Sequence, residues 1–253
     1  NSADAQINAD ELIVGPDGTG VLNINNAEAD INVRYLTFGR AAQLNAVPNS
    51  KIDIILEDKC SIYGGQLIIL PEADPNNLDL TNLTLNCTFK DGTIYDDDLM
   101  LRLESAGLDP KDTLSMTDFI TDNFLLDKLV LGSDAGDIDD HAGRVIVNLV
   151  NNWKHQNEPK STEAFFVTTL EIEAGVTFIT NATTGQLPYN LYYLNGGDPK
   201  RLIIGDLNLD GVADCSEAAL LISNIGVITT GAAWSDGDLD GDRDVDADDL
   251  AML

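Results

Sequence analysis

From Glu11 to Phe89 the apolar residues come in short runs broken by turn formers. Leu12-Ile-Val14 is followed by Gly15-Pro-Asp-Gly-Thr-Gly20 and then by Val21-Leu-Asn-Ile24, which predicts strand, turn and strand. The phrase returns in Leu36-Thr-Phe38-Gly-Arg-Ala-Ala-Gln-Leu44, in Leu129-Val-Leu131-Gly-Ser-Asp-Ala-Gly-Asp-Ile138 and in Leu170-Glu-Ile172-Glu-Ala-Gly-Val-Thr-Phe178. Each time Leu-x-apolar leads through small or polar residues to an apolar residue that opens another strand. Lys51–Leu56, Gly65–Leu70 and Leu78–Leu85 alternate or are continuously apolar, as strands are.

Recurring phrases of this kind predict a mainly β chain built as a solenoid, in which each coil buries its apolar face by stacking on its neighbours. The Asn and Thr residues of Leu78–Leu85 suit the polar ladders of such a stack. These phrases resemble the coils of right-handed β-helix domains of secreted bacterial proteins. Short strands with frequent turns also predict a β-sandwich, which stands as the alternative. The repeats span residues 1–200 with an insertion near 96–160. Within it, Asp97–Gly107 reads as a short helix or a strand, Ser115–Leu126 as helix-like, Arg144–Val150 as a strand and Asn151–Thr162 as a polar loop. Asn195-Gly-Gly-Asp-Pro-Lys-Arg201 reads as a turn-rich hinge, with a domain boundary near residue 200.

Charge changes the picture at that boundary. The chain has 43 acidic and 14 basic residues among 253, a formal charge of −29. That balance argues against nucleic acid or an anionic membrane surface, which need Lys/Arg clusters, and favours divalent cations. From Gly205 onward there are twelve acids and one base, Arg243. Such a tail repels itself without metal, so ion binding is expected to be coupled to its folding. The chain has no apolar run long enough to span a bilayer. It opens on Asn1-Ser-Ala-Asp, as a mature secreted protein or a trimmed piece would. A Cys60–Cys87 disulfide and buried free thiols are both open, with Cys215 left over.

Two runs in the tail place oxygen ligands at every second position and close on a carboxylate at position twelve. In the first, Asp206, Asn208 and Asp210 take positions 1, 3 and 5, and Gly211 takes the sharp turn at position 6. Val212 offers its carbonyl, Asp214 follows, and Glu217 can bind bidentate. The second run admits two registers. Starting at Asp236 puts Gly241 at the sharp turn but Ala247 at position 12. Starting at Asp238 gives Asp238, Asp240, Asp242, the Asp244 carbonyl, Asp246 and Asp249, at the cost of Arg243 where Gly belongs. A non-Gly residue there costs about 1 kcal/mol, less than a lost twelfth ligand, so the Asp238 register is preferred. The spacing predicts about two calcium ions.

These loops, lying 32 residues apart with a helical start after each and Trp234-Ser-Asp-Gly-Asp between them, resemble a type I dockerin over residues 205–253. The resemblance implies two calcium loop–helix units packed about a pseudo-twofold, docking into a cohesin partner. Positions 10 and 11, which recognise the partner in that family, are Cys215-Ser216 in one loop and Ala247-Asp248 in the other. They differ, which argues against a symmetric two-way binding mode, and the second helix has one turn before Leu253.

No catalytic constellation stands out. His141 and His155 have no nucleophile motif beside them, and Asp134, Asp137, Asp139 and Asp140 read as a solvated acidic loop. The expected protein is therefore a non-enzymatic, extracellular, calcium-binding structural or adhesive subunit of a fibre, matrix or surface layer. Its tail joins a cohesin-like domain or another copy of itself, giving a homo-polymer. The alternative is a dockerin-tagged carbohydrate-active enzyme or carbohydrate-binding protein. The Tyr189, Tyr192 and Tyr193 cluster is the one candidate for a sugar-stacking strip, although packing suits it better.

Overall fold

The computed structural model describes residues 6–15, 20–39, 42–56, 63–70, 73, 78–89, 98–105, 107–108, 123–132, 143–150, 163–180, 187 and 190–253. It is mainly β, with one large curled sheet and two small helices at the C-terminus.

Strands are numbered in chain order, and successive strands tend to alternate between two limbs of that sheet. One limb holds β1 (Gln6–Val14), β3 (Asp30–Phe38), β6 (Gly65–Ile69), β8 (Leu99–Ser105), β11 (Val145–Leu149) and β13 (Val176–Phe178). The other holds β5 (Ser50–Leu56), β7 (Leu83–Phe89), β10 (Leu125–Leu131), β12 (Glu163–Ile172) and β14 (Asn190–Tyr193). They meet where β3 pairs β5, and β2 (Gly20–Ile24) with β4 (Ala42–Ala46) forms a separate parallel pair. Among the described residues pairing is parallel, except that β9 (Gly107–Leu108) runs against β12 and β15 (Lys200–Arg201) against β14.

Parallel register puts like side chains above one another, and the sequence fills those positions with like residues. Leu12, Leu36, Leu67, Leu103 and Leu149 stand in successive partner positions across one limb. Ile52, Leu85, Leu129 and Leu170 do so across the other, each with no more than 1% of its surface exposed. Alternate residues face outward, where amide and acid groups bond along the same direction. Asn86 Nδ2 donates to Asp53 Oδ1 at 2.9 Å, Asn32 Nδ2 to Asn8 Oδ1 at 3.0 Å and Asn45 Nδ2 to Asn23 Oδ1 at 2.9 Å. Period-two strands buried on one face require this alternation.

The stretch 96–160 contributes β8, β9, β10 and β11 to the sheet. Within the stretch that read as a short helix or a strand, Leu99–Ser105 is a strand, and the helix expected to end at Leu126 gives way to β10 from Leu125, where Leu126 faces the core. Residues 115–122 and the loop 151–162 lie outside the described residues. The expected hinge is a pinned turn instead. Asn195 sits at φ 45°, its Oδ1 accepts from Leu170 N at 2.8 Å and its Nδ2 donates to Leu170 O at 3.2 Å. An Asn that copies a strand's bonding in this way holds β14 and β15 against β12. The apolar core then runs on without a break into Leu202, Leu207, Leu221, Trp234, Leu239 and Val245 of the tail. Cys87 is a buried free thiol whose pKa burial pushes up, while Cys60 lies outside the described residues.

Candidate metal centre

The two acidic runs fold into the same loop. In the first, Gly211 N donates to Asp206 Oδ2 at 2.8 Å and Asp210 N to Asn208 Oδ1 at 2.8 Å. In the second, Arg243 N donates to Asp238 Oδ2 at 3.1 Å and Asp242 N to Asp240 Oδ1 at 3.1 Å. The match continues with Val212 N to Asp210 Oδ1 and Asp244 N to Asp242 Oδ1, at 3.0 and 3.1 Å. It closes with Asp214 N to Glu217 Oε2 at 3.0 Å and Asp246 N to Asp249 Oδ2 at 2.9 Å. In these four bonds Asp238 takes the place of Asp206, although Asp206 Oδ1 accepts from Asp210 N at 3.0 Å where Asp238 Oδ1 accepts from Gly241 N at 2.8 Å. Left-handed residues fall at the same places too: Leu209 (φ 54°) with Gly241 (φ 81°), and Gly211 (φ 93°) with Arg243 (φ 70°).

Each loop runs into a helix. Asp214 caps α1 (Cys215–Asn224), and Asp246 caps α2 (Ala247–Met252), with Glu217 and Asp249 reaching back to complete a capping box. The acid at position 12 thus serves the helix start as well as the loop. A short 3-10 turn, Trp234–Asp236, lies between the units.

The loops differ in their carboxylates. Asp238, Asp240 and Asp242 form a group whose ligand oxygens all lie within 4.8 Å of one another, and so do Asp244, Asp246 and Asp249. Either group can hold a metal ion. Burial, with Asp249 adding to it, pushes the Asp238 carboxyl up to about 7, and burial likewise pushes Asp240 up to about 6. Asp244 is raised as well, by burial and then by Asp242 and Asp246, and its Oδ1 is buried with no hydrogen-bond partner. Crowded carboxylates with an orphaned oxygen are what a cation would relieve, so these residues fit one.

No three carboxylates of the first loop come as close. Donors already occupy them: Tyr193 OH donates to Asp206 Oδ2 at 2.8 Å and Asn208 Nδ2 to Glu217 Oε1 at 2.7 Å. Burial and that bond to Asp206 raise the Tyr193 pKa, which keeps its hydroxyl a donor. The Asp214 carboxyl is lowered, chiefly by the Ser216 N–H and then by its hydroxyl.

Both loops also pack on the end of the β body, a contact that no local residue pattern signals. Trp234 Nε1 donates to the Asp206 carbonyl at 3.0 Å, and its ring meets Phe178 of β13 edge-on at 5.6 Å. Lys200 Nζ of β15 donates to Leu209 O at 3.2 Å, and Thr177 Oγ1 of β13 to Leu239 O at 2.9 Å. Arg144, paired with Asp98, donates to Asp240 O at 3.2 Å. Arg243 is only 6% exposed, and burial lowers its pKa. A guanidinium this buried has given up most of its contact with water. Its Nη2 finds the Gly143 carbonyl at 2.7 Å instead.

Other candidates resolve less. His141, His155, Asp134, Asp137, Asp139, Asp140 and Tyr189 lie outside the described residues. Tyr192 stacks on Phe166 at 5.3 Å and Tyr193 is fully buried, so neither is free to stack on a sugar. No expectation from the sequence covered a buried polar cluster on β3 and β8. There Glu104 is buried against Arg102, and Arg34 Nε donates to Gly64 O at 2.8 Å. Isolated charged residues inside strands were the available signal. No helix among the described residues is long and apolar enough to cross a membrane. No protein-family model, curated protein or solved structure matches the chain.

Proposed function

We propose that this protein is an extracellular, calcium-dependent structural or adhesive subunit. Its β body is a solenoid-like spacer, and its dockerin-like tail, holding about two calcium ions, joins it to a protein partner or to another copy of itself. One observation carries the reading: two acidic loops of the same hydrogen-bonded form, with crowded carboxylates in the second, seated on the end of a parallel β stack. Oxygen-only ligands, alternate spacing and a carboxylate at position 12 favour calcium over softer metals. Like-residue ladders and outward amide ladders support a solenoid over a sandwich.

The tail also supplies six of the nine exposed large hydrophobics among the described residues, including Val212, Leu220, Ile222 and Val227. Apolar groups concentrated on so acidic a surface favour a joining role. Isothermal calorimetry should show about two calcium ions bound per chain. Light scattering should show an assembly larger than one chain in calcium, reverting to single chains in chelator. Absence of calcium binding would sink the whole reading. A single-chain mass under both conditions would remove self-joining and leave a different protein as the partner.

A further inference from the structure

We propose that Arg243 is a positioning residue that couples ion binding at the second loop to closure of the end of the β body. The inference rests on the calcium reading above and gives a role to the one residue that breaks the loop pattern. At φ 70°, position 6 favours Gly, and the first loop has Gly211 there. Arg243 accepts that backbone strain and spans three structures. Its N–H donates to Asp238 Oδ2 at 3.1 Å, inside the loop. Its carbonyl accepts from Ala232 N at 2.9 Å, in the segment joining the two units. Its guanidinium crosses to the body, where Nη2 donates to Gly143 O at 2.7 Å.

The body is shaped to receive it. Gly175 (φ 72°) lies so close that a Cβ there would come within 2.7 to 2.9 Å of the guanidinium Nη2, Cζ and Nε atoms. Gly175 immediately precedes β13 and Gly143 lies two residues before β11, and Val145 N donates to Gly175 O at 2.8 Å. The seat is therefore part of the last two strands of one limb. Three neighbours fix the same contact: Arg144 on Asp240 O, Thr177 on Leu239 O, and Gly241, whose absent Cβ would meet the Val176–Thr177 backbone at 3.0 and 3.2 Å. An ion that orders Asp238, Asp240 and Asp242 thereby orders the backbone from which Arg243 projects. Linkage makes the effect mutual, so a body that seats Arg243 also favours the ion-ready loop.

The full-length chain tests this with two variants on opposite sides of the contact. In the wild type, calcium should slow amide exchange in 143–149 and 175–179 about tenfold or more. Arg243→Gly relieves the backbone, leaves every ligand in place, and should keep the two-ion stoichiometry while losing most of that protection. Gly175→Ala touches no ligand, yet should weaken the second ion about five- to tenfold. In the double variant the alanine should no longer affect the ion. Calcium-dependent protection retained in Arg243→Gly would overturn the coupling, as would additive effects in the double variant. If Gly175→Ala does not fold, the Arg243→Gly protection alone decides. A wild type that binds no calcium would instead sink the underlying reading, a result distinct from both.

Discussion

At the scale of single residues, the second loop crowds more carboxylates together than the neighbouring Arg144 and Arg243 offset. Asp238 and Asp240 have carboxyls raised to about 7 and about 6 against an ordinary 3.8, with burial the first cause. Without metal, the folded chain holds more protons than the unfolded chain between about pH 4 and 7. Stability should therefore fall as pH rises across that window. With calcium the slope should reverse, because protons compete for the same oxygens. Thermal unfolding from about pH 5 to 8, in chelator and in calcium, checks both signs. Asp249 carries a second prediction. It is 1% exposed and accepts from Leu239 N at 2.7 Å, Asp240 N at 3.1 Å and Asp246 N at 2.9 Å. Asp249→Ala strands three backbone donors and should cost about 3 kcal/mol in calcium by denaturant titration, as well as weakening the second ion.

Among the elements, the helices depend most on their surroundings. α1 has ten residues and α2 six, too short to persist alone in water. Their starts are capped by Asp214 and Asp246, which also line the loops. Chelator should therefore reduce the helical circular dichroism signal while leaving the strand signal. An unchanged helical signal would separate the caps from any metal. The strands answer to a different force. Leu85 lies between Ile52 and Leu129 in the apolar ladder and is 1% exposed. Leu85→Ala should cost about 2 to 5 kcal/mol, with or without calcium, by chemical unfolding.

Considered whole, the molecule is a β body whose last strands in both limbs are covered by the acidic tail. Exposed sheet ends invite unwanted pairing, and a cap removes that hazard. Trp234 reports on the cap, since it is 2% exposed, bonded to the Asp206 carbonyl and in contact with Phe178. In a Trp153→Phe background Trp234 is the single tryptophan, and its emission should shift to the red when calcium is removed. Emission that stays blue through full chelation would show a cap closed without metal.

The division between sequence and tertiary structure follows from the range of the forces involved. Strand positions and the helix starts that follow the two acidic runs were legible because alternation and capping act within a few residues. Asp97–Gly107 was ambiguous and Ser115–Leu126 misleading at its end, because a short apolar run satisfies helix and strand periods alike until a neighbouring strand selects one. The seat of Arg243 was not legible at all. As a loop residue it is simply a misfit where Gly belongs, and its partners Gly143 and Gly175 are remote in sequence and carry no side chain to signal a contact. The sequence by itself determined that the tail crowds carboxylates at alternate positions, in groups that could hold a metal ion. Only the tertiary structure decided that this tail is seated on the last strands of the body, because that placement depends on long-range packing that no local pattern records.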